Sequence, residues 1–109
     1  MPTAYKVLGQ VIPSATTATT LYTVPSATST VVSSISVCNQ AGSDATFRIA
    51  VRPAGATLEA KHYIVYGATV PASDTTIFTV GLTLATTDVI TVYASSATVS
   101  FNAYGSEIS

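Results

Sequence analysis

Apolar and polar residues alternate along most of this chain, and this alternation is the feature that most restricts its fold. In the segment 46–52, Phe47, Ile49 and Val51 fall on one side of an extended backbone. The intervening residues, Thr46, Arg48, Ala50 and Arg52, fall on the other. The segment 98–104 repeats the pattern, with Val99, Phe101 and Ala103 on the inner side. A period of two predicts β-strands that have one core face and one wet face.

About eight strands are predicted in this way, separated by polar turns that contain proline, glycine, serine or aspartate. The predicted segments are 4–12, 20–24, 30–39, 46–52, 61–66, 75–80, 88–95 and 98–104. Only the stretch 53–61 has a composition that suits a helical turn. Short strands at this spacing predict an all-β protein, a single antiparallel β-sandwich spanning residues 1–109. The topology is either immunoglobulin-like or jelly-roll-like, and the sequence does not choose between them.

Charged residues are scarce, at 8% of the 109 residues, where an average soluble chain has about 25%. The net charge is −1, too little positive charge for the electrostatic footprint of a nucleic-acid binder. No stretch approaches the roughly 20 apolar residues that span a membrane. A net charge near zero promotes association, so this composition suits a protein that works inside an assembly.

The ends of the chain and its one cysteine bear on localisation. Residues 1–6 lack the charged and apolar regions of a signal peptide, so we expect a soluble, uncleaved protein. Cys38 stands alone, which excludes an intrachain disulfide and favours a reducing cytoplasm, with an intermolecular bridge as the alternative. The terminal segments 1–3 and 107–109 are candidate arms that either reach a neighbouring subunit or fray.

Residues that could carry catalysis have simpler interpretations. His62 is the only histidine, and we expect it to lie in a strand, bonding a neighbour or facing solvent. Asp44, Asp74 and Asp88 lie in or beside turns, where their carboxylates accept backbone hydrogen bonds. No nucleophile elbow, phosphate loop, dinucleotide fingerprint or calcium loop occurs. The sequence therefore predicts a protein that is not an enzyme and has no metal or cofactor.

Arg48 and Arg52 are the candidate partner-binding residues. They lie on the same face of one predicted strand, about 13 Å apart at the rise of a β-strand. The chain has only 4 basic residues, so two on one strand face form a conspicuous pair. Arginine suits bidentate pairing with carboxylates, which predicts a docking ridge for an acidic partner. The alternative is an ordinary solvated strand face.

Several short segments together resemble small virion structural proteins of tailed bacteriophages, particularly those of cyanophages and other aquatic phages. They are spread over most of the chain: YKVLGQ at 5–10, VCN at 37–39, FRIAVRPAGA at 47–56, KHYI at 61–64, TDVITVYA at 87–94, VSFN at 99–102 and GSE at 105–107. They are structural patterns rather than a catalytic motif, and they transfer no functional residues.

This resemblance implies a β-sandwich protein that is built into the virion, which is assembled in the host cytoplasm. Within that group it favours a capsid decoration (cement) protein, a homotrimer that binds major capsid subunits. A tail, neck or fibre component is the close alternative. A receptor- or carbohydrate-binding module is a further one, although such modules often use tryptophan and this chain has none. An enzyme is the third class.

Overall fold

The computed structural model describes residues 3–109, which form nine β-strands and two short 3-10 turns. The strands are β1 (Thr3–Val11), β2 (Thr19–Thr23), β3 (Ser29–Asn39), β4 (Ala45–Arg52), β5 (Tyr63–Val70), β6 (Thr75–Phe78), β7 (Leu82–Leu84), β8 (Val89–Ala94) and β9 (Val99–Ile108). The 3-10 turns are Pro53–Gly55, within the stretch 53–61 where the composition suggested a helical turn, and Ala60–His62, which overlaps the end of that stretch.

The strands form two antiparallel sheets. The first has the order β1-β9-β3-β6, with β7 also paired to β3. The second has the order β2-β8-β4-β5. The predicted all-β sandwich is therefore confirmed.

The pairing also decides the topology. Both β6 and β7 pair with β3, through Ile35 opposite Phe78 and Thr30 opposite Leu84, so they are two halves of one interrupted strand. Counted as one, they leave eight strands in which the first pairs with the last, the second with the seventh, the third with the sixth and the fourth with the fifth. This nested pairing describes a jelly roll rather than an immunoglobulin-like sandwich.

The inward faces of the two sheets enclose one hydrophobic core. Phe47 packs edge-to-face against Phe78 and Phe101, with ring centroids 5.8 Å and 6.1 Å away. Ile49, Val99 and Ala103 are fully buried, as their places in the alternating pattern predict. Edge-to-face aromatic pairs add stability beyond the area they bury, so this cluster fixes how the sheets face each other.

Glycines account for two of the differences between the predicted and the observed strands. Gly67 has a φ of 75° at an irregularity in β5, which continues to Val70 rather than ending at residue 66. Gly81, with a φ of 58°, separates β6 from β7, a strand that the sequence pattern did not predict.

The described residues of the terminal segments lie in strands, apart from Ser109. Glu107 pairs with Ala4 of β1 and Thr30 of β3, and Ile108 pairs with Thr3. The candidate arm at 107–109 is thus mostly a strand between two neighbours, and only Ser109 follows it. Of the candidate arm at 1–3, Thr3 begins β1, while Met1 and Pro2 lie outside the described residues.

Candidate interaction surfaces

The outer face of the first sheet carries no charged side chain among the described residues. We call this surface the uncharged face. It consists of the outward positions of five strands: Tyr5, Val7 and Gln10 of β1, Val31, Ser34, Ser36 and Cys38 of β3, Thr75 and Ile77 of β6, Thr83 of β7, and Ser100, Asn102, Tyr104 and Ser106 of β9. Gln10 donates to Asn102 across β1 and β9 at 2.7 Å, which shows that these two side chains share the face.

The charged residues lie elsewhere. The chain has 4 basic and 5 acidic residues. Asp44, Asp74 and Asp88 lie in or beside turns, and Glu59 and Lys61 lie between β4 and β5. Lys6 and Glu107 lie at the open end of the sandwich. Arg48 and Arg52 lie on the outer face of the second sheet. The surface of a soluble domain usually mixes both signs of charge, so a complete sheet face without any is unusual.

Large apolar side chains are exposed on the uncharged face. Tyr5 is 85% exposed and Ile77 66%, at opposite edges of the sheet. Val7, on the same strand as Tyr5, lies opposite Tyr104 of β9, and both are exposed. The fully buried cores of protein interfaces are depleted in charge and enriched in tyrosine, and this face has both properties.

The outer face of the second sheet places Arg48 between two tyrosines. Arg48 of β4 lies opposite Tyr93 of β8 on one side and Tyr66 of β5 on the other. Its guanidinium carbon is 4.3 Å from the centroid of each ring. Tyr63 meets Tyr66 edge-to-face, with centroids 4.9 Å apart. The two rings attract the cation and restrict its orientation.

Arg52 has a different environment on the same strand face. Its Nε donates to the Thr91 hydroxyl at 3.0 Å, and its Nη1 donates to the carbonyl oxygens of Gly55 and Ala56 at 3.3 Å and 2.9 Å. Arg52 thus holds the turn after β4 against the sheet. The predicted solvent exposure of Ala50 is wrong, because Arg52 reaches over the row formed by Ala50 and its neighbour Thr91, and both are buried.

A cleft of about 540 Å³ opens beside the tyrosines, lined by Leu58, Glu59, Ala60, Tyr63 and Tyr66. Its wall is the turn before β5, where Glu59 and His62 form a reciprocal capping box. The Nδ1 atom of His62 accepts a hydrogen bond from the backbone N–H of Glu59 at 3.0 Å. His62 therefore bonds a neighbour as predicted, but it lies in the turn rather than in a strand.

A polar cluster lies at the open end of the sandwich, where the Lys6 side chain is half exposed to solvent. Lys6 and Glu107 form an ion pair at 2.8 Å, and the Tyr22 hydroxyl donates to Glu107 while bonding Thr30 at 2.8 Å. The hydrogen bonds from Lys6 and Tyr22 hold the pKa of Glu107 below its ordinary value of 4.5. Burial, reinforced by the hydrogen bond to Glu107, raises the pKa of Tyr22 from 10.0 to about 12. The cluster joins β1, β2, β3 and β9.

The three aspartates considered as catalytic candidates accept backbone hydrogen bonds in turns, as predicted. Asp88 accepts from the backbone N–H groups of Ala54 and Ala85 at 2.9 Å and 2.8 Å. Asp44 accepts from Ala72, and Asp74 accepts from Thr75. Across residues 3–109, no three histidine, cysteine or acidic side chains group in a way that could hold a metal ion.

Sequence reasoning placed Arg48 and Arg52 on one face but missed two features. It did not identify the tyrosines around Arg48, because cross-strand neighbours depend on register and on the irregularities in β5. It also missed the uncharged face, although the positions of the charged residues gave a signal for it. None of the charged residues falls at an outward position of the first sheet's strands.

Comparison with known proteins adds no assignment. No protein-family model matches the chain, and no curated protein matches it significantly. Within residues 3–109, no helix has the length and apolar character needed to cross a membrane.

Proposed function

We propose that this chain is a structural protein of a bacteriophage virion, a capsid decoration protein that binds major capsid subunits as a homotrimer and stabilises the head. The proposal assigns it no catalysis and no cofactor. The observation that carries it is the uncharged face, a sheet surface of apolar and small polar side chains.

The uncharged face suits contact with another protein for a physical reason. Removing a charged side chain from water without a partner is costly, whereas apolar and hydroxyl side chains cost less to bury. Tyr5, Val7, Tyr104 and Ile77 supply apolar area for such a contact. A jelly roll is an architecture found in viral capsid and lectin domains, which is compatible with the proposal but does not establish it, because fold does not determine function.

Decoration would act by mass action. A protein that binds the assembled shell but not free subunits stabilises the shell, and the stabilisation increases with the logarithm of its free concentration above Kd. A trimer presents the same surface three times, so modest contacts by each chain combine into stable attachment.

The first experiment measures the solution mass by light scattering and then cosedimentation with phage heads stripped of the protein. We expect a mass near three times the 11.1 kDa of one chain and saturable binding to heads. A protein that ignores heads and binds tails would instead be a tail, neck or fibre component. Binding to neither would contradict a virion role.

A charge placed on the uncharged face tests which surface docks. We expect Val7→Glu to weaken binding to heads by at least about tenfold, because the carboxylate would be buried without a partner. The matched control is Ala97→Glu, which adds the same charge at an exposed position in the turn between β8 and β9, away from both sheet faces. If both variants bind like the unaltered protein, the uncharged face is not the docking surface.

A receptor- or carbohydrate-binding module is the second candidate. The cleft beside Tyr63 and Tyr66 favours it, because exposed aromatic rings next to a recess are suited to a small ligand. Binding of the isolated protein to a glycan array, with no binding to heads, would support this candidate over decoration.

A further inference from the structure

We propose that Arg48, held between Tyr66 and Tyr93, is a binding site for a carboxylate carried by an aspartate or glutamate of a neighbouring protein subunit. This inference rests on the proposed function, because it names the chemistry of one contact that a docking protein makes. It uses the outer face of the second sheet, opposite to the uncharged face.

The first argument is how the guanidinium group is held. The register places Tyr93, Arg48 and Tyr66 in one row across three strands. Both ring centroids are 4.3 Å from the guanidinium carbon, so an aromatic ring lies on each side of the cation. A ligand therefore approaches from the solvent side, between the rings, toward N–H donors arranged in a planar fork.

The second argument is that these donors are uncommitted. Arg52 uses three hydrogen bonds on acceptors of its own chain. The Arg48 side chain donates no hydrogen bond to a residue in the range 3–109, and the single ion pair in that range joins Lys6 to Glu107. Two arginines on one strand face thus differ in the property that matters for binding: one is already bonded, and the other is positioned but free.

The third argument is the fit between this site and a carboxylate. The arginine fork matches the two oxygens of a carboxylate and forms paired, charge-assisted hydrogen bonds with it. Because the rings already restrict the side chain, less conformational freedom is lost when a ligand binds.

The rings themselves favour a protein carboxylate over a sugar. Tyr66 and Tyr93 each use one ring face on Arg48. Tyr63 meets Tyr66 edge-to-face, at 81° with centroids 4.9 Å apart, so Tyr66 already contacts two side chains although it is 66% exposed. A sugar that stacks on tyrosine needs an open ring face, whereas a carboxylate needs only the edge of the fork. The geometry suits the carboxylate better.

The test uses the full-length protein and a capped tetraglutamate peptide, with capped tetraglutamine as the uncharged control. NMR titration follows the Arg48 side-chain N–H signals and the ring signals of Tyr66 and Tyr93. We expect saturable shifts with tetraglutamate that weaken as salt is added, and none with tetraglutamine. Arg48→Gln should lower the affinity about tenfold, and Arg48→Lys nearly as much, because lysine keeps the charge but loses the fork. Lys61→Gln, which removes the same charge at an exposed position, should change the affinity less than about twofold.

Several results would overturn the inference. Absent binding, or equal affinity in Arg48→Gln, would show that Arg48 is not the site. Unchanged affinity in Arg48→Lys would show that charge alone acts and that the fork is not used. Shifts at Arg48 with a glucuronate-containing tetrasaccharide but not with the peptide would assign the site to an acidic sugar instead. The peptide assay contains no phage component, so failure to bind heads in the separate experiment would count against the virion role and not against this site.

Discussion

Arg52 donates three hydrogen bonds within the chain, and Arg48 contacts two aromatic rings, although both side chains leave the same face of β4. The difference comes from what lies beside each residue. Arg52 is the last residue of its strand, so carbonyl groups of the following turn are within reach. Arg48 is in the middle of the strand, where only side chains of the adjacent strands are near. Position along the strand therefore separates a structural arginine from one available to a partner.

This separation predicts a difference in stability between two matched substitutions. Arg52→Lys removes the planar fork, so the carbonyls of Gly55 and Ala56 and the buried Thr91 hydroxyl lose their donor. We expect it to lower the free energy of unfolding by about 1–2 kcal/mol. Arg48→Lys keeps a cation between the rings and should cost less than about 0.5 kcal/mol. Urea denaturation of both variants at pH 7 measures the two effects, and equal losses would contradict the division of roles.

At the residue scale, the sequence supports inferences that depend only on local chemistry. The three aspartates lie in or beside turns that the sequence predicts, and they accept backbone hydrogen bonds in the structure. The two arginines alternate with core residues, and they share a face. The sequence does not reveal which side chains surround Arg48, because those belong to strands distant in the chain. Whether Arg48 and Arg52 bind a partner stays a prediction.

At the scale of elements, one close approach between the sheets depends on a missing side chain. A Cβ atom at Gly9 in β1 would lie 2.2 Å from the carbonyl oxygen of Leu21 in β2. Those strands are edges of opposite sheets, so Gly9 allows the sandwich to close along that side. The obstructing atom is backbone, which cannot move aside by changing rotamer.

We therefore expect Gly9→Ala to lower the free energy of unfolding by about 2 kcal/mol, because β1 must move away from β2. Urea denaturation measures the change. Gly42→Ala is the matched control, since a Cβ there meets no atom within 4 Å, and its effect should stay within about 0.5 kcal/mol. A neutral Gly9→Ala would show that β1 does not pack this closely on β2.

Three of the predicted strands end immediately before a glycine. Gly67, Gly81 and Gly105 all resemble strand terminators in a sequence, yet each has a different effect. Gly67 makes an irregularity inside β5, Gly81 interrupts the strand that pairs with β3, and Gly105 continues β9. A Cβ at Gly105 would lie 2.0 Å from the carbonyl oxygen of Val31, so this glycine permits pairing rather than ending it. The alternation of apolar and polar residues predicts that strands exist, but where each strand ends depends on its pairing with neighbouring strands.

At the scale of the whole molecule, the two sheets present chemically different surfaces. The outer face of the first sheet is uncharged, and that of the second carries two arginines and three tyrosines. Most of the remaining charges lie at the turns and the open end. A domain with two unlike faces can contact two unlike neighbours, one by apolar burial and one by paired charge. This arrangement fits a protein that joins subunits in a lattice better than one with a single ligand site.

The polar cluster at the open end predicts how the stability of the whole domain depends on pH. The pKa of Glu107 is lowered in the folded state, so its contribution is present above about pH 4.5 and is lost as the pH falls below that value. The pKa of Tyr22 is raised from 10.0 to about 12, so its contribution is present below pH 10 and is lost as the pH rises from 10 to 12.

Urea denaturation at a series of pH values measures the loss of stability at acid and at alkaline pH, and two variants show which residue causes each loss. Glu107→Gln removes the titrating carboxylate and should flatten the decline below pH 4.5, while Tyr22→Phe should flatten the decline above pH 10. Glu107→Gln loses the ion pair with Lys6, and Tyr22→Phe loses the hydrogen bonds to Thr30 and Glu107, so both variants should be less stable at pH 7. The slope with pH, rather than the stability itself, is therefore the quantity to compare. If each variant keeps the slope of the unaltered protein, other groups cause the pH dependence. Since the cluster joins β2 of the second sheet to β1, β3 and β9 of the first, flattened slopes would show that contacts between the sheets at this end contribute to the stability of the domain.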